Sequence, residues 1–373
     1  MSRRPPLWLA ILLLSFPQIV ETIYSPALPL IAAAYRVSPE RAAQTLSLWF
    51  FGFGVGVVVW GRLSDLWGRR PALLSGLALY AAGAGWAMLA GSFAEVLAAR
   101  LLSAFGAAVG SIVTQTALRD THAGPELGRV FSILGMALAV SPAMGMFAGQ
   151  EIAMLAGHAG VFAMLGLLAV ALLAFSLVCW PETKPARTGT APFMRTLGAM
   201  LRDRAIWRSA VLIACFNLAI FAYYQLGPFL FERLETRLLD FGRSGLALAA
   251  ASVAGASINT ALLRRGWTAR RLVATGVLLL ASGAALVAAF ASSAALLLGM
   301  ATIAAAYAMA IPNILATALR AYAGRLGTAG ATLSLLYYSL LGAGLAVAGL
   351  GQRLDLVLIA CAVLAAAALA VRA

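Results

Sequence analysis

LWLAILLLSFPQIVETIYSPALPLIAAA, Leu7–Ala34, carries a single charged side chain, Glu21. At 1.5 Å per residue, a helix of this length exceeds the ~30 Å hydrocarbon layer of a bilayer. Lipid offers no partner for unpaired backbone groups, so the stretch is predicted to be a transmembrane helix. Eleven further apolar segments follow: Ala42–Gly61, Pro71–Ala90, Ala94–Leu118, Leu127–Gly149, Gly160–Trp180, Ala205–Leu230, Gly242–Leu263, Leu272–Ala291, Ala294–Leu319, Leu326–Gly349 and Leu354–Val371. The expected fold is an all-α membrane protein of twelve transmembrane helices in two pseudo-symmetric six-helix bundles.

Composition agrees. Of 373 residues, 62% are hydrophobic and 11% charged. Soluble domains run near half apolar and a quarter charged. A water-soluble globule, a disordered chain and a fibrous repeat are excluded. The net charge of +14 comes in short clusters between apolar runs rather than on one basic face, which excludes nucleic-acid binding. Cys179, Cys215 and Cys361 are far apart and read as small apolar residues, so neither a disulfide framework nor a metal site is expected. No cofactor motif is present.

Basic residues set the expected orientation. With a cytoplasmic N-terminus, twenty of the 27 Lys and Arg residues fall on the cytoplasmic side and six opposite, while Arg100 lies inside a helix. Both termini are therefore expected in the cytoplasm. Arg3-Arg4 before an apolar run resembles a signal peptide, but no small-x-small cleavage site follows, so the segment is expected to stay. The longest connection divides the chain into an N-terminal bundle (1–180), a cytoplasmic linker (181–204) and a C-terminal bundle (205–373). An internal echo supports the division: Arg69-Arg70 precedes helix three and Arg270-Arg271 helix nine, each followed by Gly76 or Gly276. Duplicated halves with a site at their interface are a transporter architecture.

Twelve of the thirteen acidic residues fall in loops or near helix ends; Glu21 lies deep in helix one. A carboxylate stranded in lipid is costly to keep ionised and can load and release a proton. Counted from opposite faces, Glu21 is roughly 21 Å deep and Arg100 roughly 9 Å, so the two share one level of the ~30 Å core. Both are candidates for proton coupling. A static ion pair, or a Glu21 facing outer water beside Pro26 and Pro29, is the plainer reading. The loop GRLSDLWGRRPALL, Gly61–Leu74, offers Gly61 for close helix approach, Gly68 for a tight turn, and a charge cluster of Asp65, Arg69 and Arg70. Such a cluster can latch to a neighbouring helix end in one conformation and release it in another. Arg119 and Asp120, with Glu126 and Arg129, flank the loop between helices four and five and are candidates to join it.

The run GRLSDLWGRR resembles the loop signature of the major facilitator superfamily, G-x-L-x-D-r-x-G-r-k. ETIYSPALPLI (Glu21–Ile31), ALRD (Ala117–Asp120) and GTAGA (Gly327–Ala331) resemble, more narrowly, the Bcr/CflA and EmrD-like drug:proton antiporters. The resemblance implies the major facilitator fold. The family's helix-four motif R-x-x-q-G-x-g matches at Arg100 and Gly106, with Ser103 and Ala104 replacing Gln and Gly; in the family this Arg is implicated in proton transfer. The antiporter motif G-P-x-x-G-G stands here as Ser141-Pro142-Ala143-Met144-Gly145-Met146, matching at Pro142 and Gly145. The loop before helix nine has Gly266 where an Asp65 equivalent would sit, so no second latch is expected.

Polar residues within apolar spans are candidates for a central substrate cavity: Gln18, Thr22, Tyr24, Gln115, Asn217, Tyr223, Gln225, Asn313 and Tyr337. Many amides and tyrosines with few charges suit amphipathic or weakly cationic organic molecules. Helix–helix hydrogen bonding is an equal alternative for each. The expected function is a monomeric, proton-coupled secondary active transporter of a bacterial inner membrane, exporting such compounds by alternating access. A proton-driven importer or facilitator of a specific metabolite is the alternative, and a transport-dead sensor a further one. An intramembrane enzyme is not expected, since no H-E-x-x-H or G-x-S-x-G occurs. An ATP-driven pump is not expected either, since the single lysine, Lys184, lies in no P-loop.

Overall fold

The computed structural model describes residues 4–185, 193–234 and 240–371. Linker residues 186–192, with Arg3, Arg187, Arg237 and Arg372 of the charge count, lie outside the described residues, as do the side chains of Arg195 and Arg325. Helix α1 (Leu7–Tyr24) passes through a 3-10 turn at Ser25–Ala27, where Pro26 removes a backbone donor, into α2 (Leu28–Ala34). Then come α3 (Pro39–Trp67), α4 (Arg69–Leu89), α5 (Phe93–Thr121) and α6 (Gly124–Cys179). The α6 run turns at Gly157, whose φ of 65° suits a residue without Cβ. Helices α7 (Phe193–Leu201), α8 (Arg204–Leu234), α9 (Phe241–Arg264), α10 (Ala269–Ala289), α11 (Leu296–Ala318), α12 (Leu326–Gly351) and α13 (Leu354–Ala370) complete the described chain.

Among the described residues, ten helical runs are long and apolar enough to cross a membrane. The turn at Gly157 divides α6 into two, and the shorter apolar α13 is the twelfth. The twelve expected segments are thus all helical, and the architecture is the expected all-α one. Helix α7 is an addition, lying inside the stretch expected to be linker. It is too short to span lipid and sits among Pro, Thr and Arg residues, so no apolar run announces it.

The chain divides into two compact units: 1–37 with 48–190, and 38–47 with 191–373. In the first, α4 packs on α5 and α6, and α1 on α5 and α6. In the second, α10 packs on α11 and α13, α11 on α9, and α8 on α12 and α13. The first turns of α3 belong to this second unit. There Gln225 of α8 donates to the carbonyls of Ala43 (2.8 Å) and Leu345 (3.0 Å), and Gln44 to that of Ala346 (3.2 Å).

Small residues bring the helices together. A Cβ on Gly106 would stand 2.6 Å from the Gly76 carbonyl and 2.6 Å from the Tyr80 amide, and one on Gly56 2.7 Å from the Phe105 carbonyl. In lipid, helix association relies on such close packing rather than on a hydrophobic driving force.

Candidate functional site

Within the first unit, α1 and α5 place Glu21 and Arg100 side by side: Arg100 Nη2 donates to Glu21 Oε2 at 3.1 Å. Each residue is 1% exposed. The guanidinium carbon of Arg100 lies 3.8 Å from the ring centre of Tyr24 and 4.2 Å from that of Trp49. Two aromatic faces thus sandwich the cation, and their negative quadrupoles offset part of its desolvation. Tyr80 packs edge-on against both Phe16 and Trp49. Glu21 Oε1, Arg100 Nε and the Tyr80 hydroxyl have no protein hydrogen-bond partner among the described residues. A fully satisfied structural pair would use both carboxylate oxygens. This one holds a single bond and leaves a buried acceptor beside a buried donor, an arrangement that protonation of Glu21 can rearrange.

Sequence reasoning brought Glu21 and Arg100 to one depth but missed Trp49 and Tyr80. Helix α3 reaches Arg100 because Gly52 and Gly56 let it approach α5 at Leu101, Ala104, Phe105 and Ala108. The G-x-x-x-G spacing was the available signal for that approach.

At one end of this unit a second charge cluster assembles. Arg69, 3% exposed, donates from Nη1 to Asp65 Oδ1 (2.6 Å) and from Nε to Asp120 Oδ2 (2.8 Å). Gly68 makes the turn with φ 111°, and a Cβ there would strike the Glu182 carboxylate. Glu182 and Lys184 were not foreseen. The Glu182 carboxylate accepts the amide N–H groups of Arg69 (2.9 Å) and Arg70 (3.1 Å), besides those of Thr183 and Lys184. Burial alone would raise its pKa, but these N–H groups outweigh it and hold the carboxyl below the usual range. Lys184 Nζ donates to the Leu66 carbonyl at 2.9 Å, capping the end of α3 while Glu182 caps the start of α4. Arg70 leaves the cluster and donates to the Leu177 carbonyl (2.6 Å), and Arg119 lies over the Phe131 ring. Gly61 faces Ile112 at ordinary contact distance, and Glu126 pairs with Arg4.

The remaining candidates are placed as follows. Pro142 lies inside α6, and Gly145 faces Thr22 and the Ile19 carbonyl, where a Cβ would collide. Gln18 accepts from Ser141 (2.9 Å), while Thr22 bonds back to the Gln18 carbonyl (2.8 Å) and Gln115 donates to Ser111 (3.2 Å). In the second unit, Asn217 bonds the Ile213 carbonyl and accepts from Tyr307. Tyr223 pairs with Ser244, and Asn313 donates to Asn259 (2.7 Å). Tyr337 packs against Tyr338, their ring centres 4.2 Å apart. No group of His, Cys, Asp and Glu able to hold a metal occurs among the described residues.

The chain is 29% identical to an uncharacterized transporter of Rickettsia bellii, over 91% of this chain and 88% of that one. It is 27% identical to the multidrug resistance protein MdtL of Escherichia coli, over 87% and 83% respectively. In fold it is similar to the crystal structure of the POT family transporter PepTSo, with a TM-score of 0.78 at 10% identity and 97% of each chain covered. The family model described as Major Facilitator Superfamily matches residues 7–347. The chain therefore belongs to the major facilitator superfamily, and it is a multi-pass membrane transporter rather than an enzyme.

Proposed function

We propose that this transporter is a proton-coupled exporter of small amphipathic or cationic organic compounds, of the Bcr/CflA and EmrD-like branch, working as a monomer in a bacterial inner membrane with both termini cytoplasmic. The observation that carries the reading is the buried Glu21–Arg100 pair with its half-satisfied carboxylate. Protonation of Glu21 removes the charge that holds Arg100. A proton can bias the alternation between inward- and outward-open states only through such a differential interaction. Asp65, Arg69 and Asp120 serve as the conformational latch. The similarity to a multidrug resistance protein supports the substrate class.

The test is transport in proteoliposomes under an imposed pH gradient, with a panel of lipophilic cations. The wild type accumulates substrate against its gradient. Glu21→Gln keeps only downhill exchange, with uphill transport reduced about a hundredfold, on the order of 3 kcal/mol of lost coupling. Uphill transport at the wild-type rate by Glu21→Gln ends the proposal. Accumulation in the same direction as the proton flow would establish the importer reading instead.

A further inference from the structure

The second unit contains a cavity of about 680 Å³ between α8, α10, α11 and α13, within the size range of small-molecule sites. Its lining has two chemistries. Arg208, Arg270, Ser209 and Thr317 are polar; Leu212, Val273, Ile314 and Leu369 are apolar. Among the described residues, no carboxylate lines it. Arg208 and Arg270 join none of the ion pairs among the described residues, unlike Arg69 and Arg100 in the first unit. Among the described residues, Arg208 donates to the Val371 carbonyl, at 3.5 Å. The cavity lies at the N-terminal ends of α8 and α10, whose dipoles add positive potential.

Two guanidiniums, Arg208 half-buried and Arg270 exposed, that join no ion pair among the described residues and stand beside an apolar wall suit an anion with a hydrocarbon tail. We infer that this cavity is a binding site for an anionic phospholipid, its phosphate held by Arg208 and Arg270 and an acyl chain lying along Leu212, Val273, Ile314 and Leu369. Basic pockets between transmembrane helices hold acidic head groups in this way. A free phosphate shares the head-group chemistry but has nothing to place on the apolar wall. The site is separate from the Glu21–Arg100 pair and does not depend on the transport reading.

Native mass spectrometry of the full chain in detergent tests this with added phosphatidylglycerol, phosphatidylcholine or inorganic phosphate. The wild type should retain phosphatidylglycerol over phosphatidylcholine, and millimolar phosphate should not displace it. Each arginine is worth about fivefold in lipid retention, so the Arg208→Gln/Arg270→Gln double variant should lose about 25-fold. Arg208→Lys/Arg270→Lys, which keeps both charges, should stay within about fivefold of wild type and so shows that the loss is not misfolding. The same double change to Gln at Arg243 and Arg353, which lie away from the cavity, should leave retention unaltered. Equal retention of the two lipids, or undiminished phosphatidylglycerol on the Gln variant, overturns the inference. Displacement by inorganic phosphate also overturns it, in favour of a plain anion site.

Discussion

The α4–α5 pair of the first unit and the α10–α11 pair of the second are packed alike and charged differently. A Cβ on Gly83 would stand 3.0 Å from the Ala99 carbonyl and collide with Ser103; one on Gly283 would stand 2.7 Å from the Gly299 carbonyl and 2.6 Å from Ile303. Gly76 faces Val109, and Gly276 faces Ala310. Four of these positions, Gly76 and Gly276, Gly83 and Gly283, Ala99 and Gly299, and Ser103 and Ile303, recur at a numbering offset of 200, while Val109 and Ala310 stand one residue further apart. By the same offset, the place of Arg100 is taken by Met300, which is fully buried. The close-packed seam repeats while its charge does not. The second unit instead satisfies its interior with neutral amides and hydroxyls such as Asn259–Asn313 and Tyr223–Ser244. Packing geometry and buried charge are thus separable layers of one design.

The sharpest way to break the comparison is to write the second unit's residue into the first. Arg100→Met leaves Glu21 buried without its partner and should destabilise the protein by about 3–5 kcal/mol, read as a lowered unfolding temperature in detergent. Adding Glu21→Gln removes the lone charge and should recover most of that loss. A double variant no more stable than Arg100→Met alone would mean that the pair is not the source of the cost. The reverse exchange, Met300→Arg, introduces a buried cation with no partner and should cost several kcal/mol.

Next in size are the glycines. Gly83→Val and Gly283→Val should each cost about 1–3 kcal/mol by overpacking, and by similar amounts, because the two seams are equivalent. Gly85, one turn-face away with nothing within 4 Å, is the control: Gly85→Ala should be neutral or stabilising by up to about 1 kcal/mol. Unequal costs at Gly83 and Gly283 would show that the offset of 200 matches numbers and not packing.

What could be read from the sequence follows the same division. Hydrophobic length announces each spanning helix, and helix rise is regular enough to bring Glu21 and Arg100 to one level by counting from opposite ends. Counting gives depth but not azimuth. Which ring faces Arg100 depends on how α3 leans on α5, so Trp49 escaped notice although its glycines were in view. The polar residues inside the spans were read as cavity candidates, yet Gln18, Asn217, Tyr223 and Asn313 each spend a hydrogen bond on a neighbouring helix or turn. Residue type alone does not distinguish a group that faces a substrate from one that ties two helices. Glu182 was invisible for another reason. It caps a helix that begins more than a hundred residues earlier, and no local spacing encodes that contact.

That cap supplies the smallest test of the comparison. Helix α10 is capped locally, Thr268 accepting the Arg271 amide at 3.3 Å. Helix α4 begins after Gly68, which has no side chain, and borrows the Glu182 carboxylate from the far end of the unit. Thr268→Ala and Glu182→Gln should each cost about 1 kcal/mol, seen as roughly fivefold faster amide exchange confined to the first turn of its own helix. The two caps part on pH. The Glu182 carboxyl is held below its ordinary range, so its contribution is fully present above the unfolded value of about 4.3 and is lost as pH falls through the lower folded value. Acidification should therefore loosen the start of α4 in the wild type, leave the Glu182→Gln variant unchanged, and spare the start of α10 in both. If the first turn of α4 keeps its protection in Glu182→Gln, the Arg69–Asp65 ion pair holds that turn itself, and the borrowed cap is only a passenger on it.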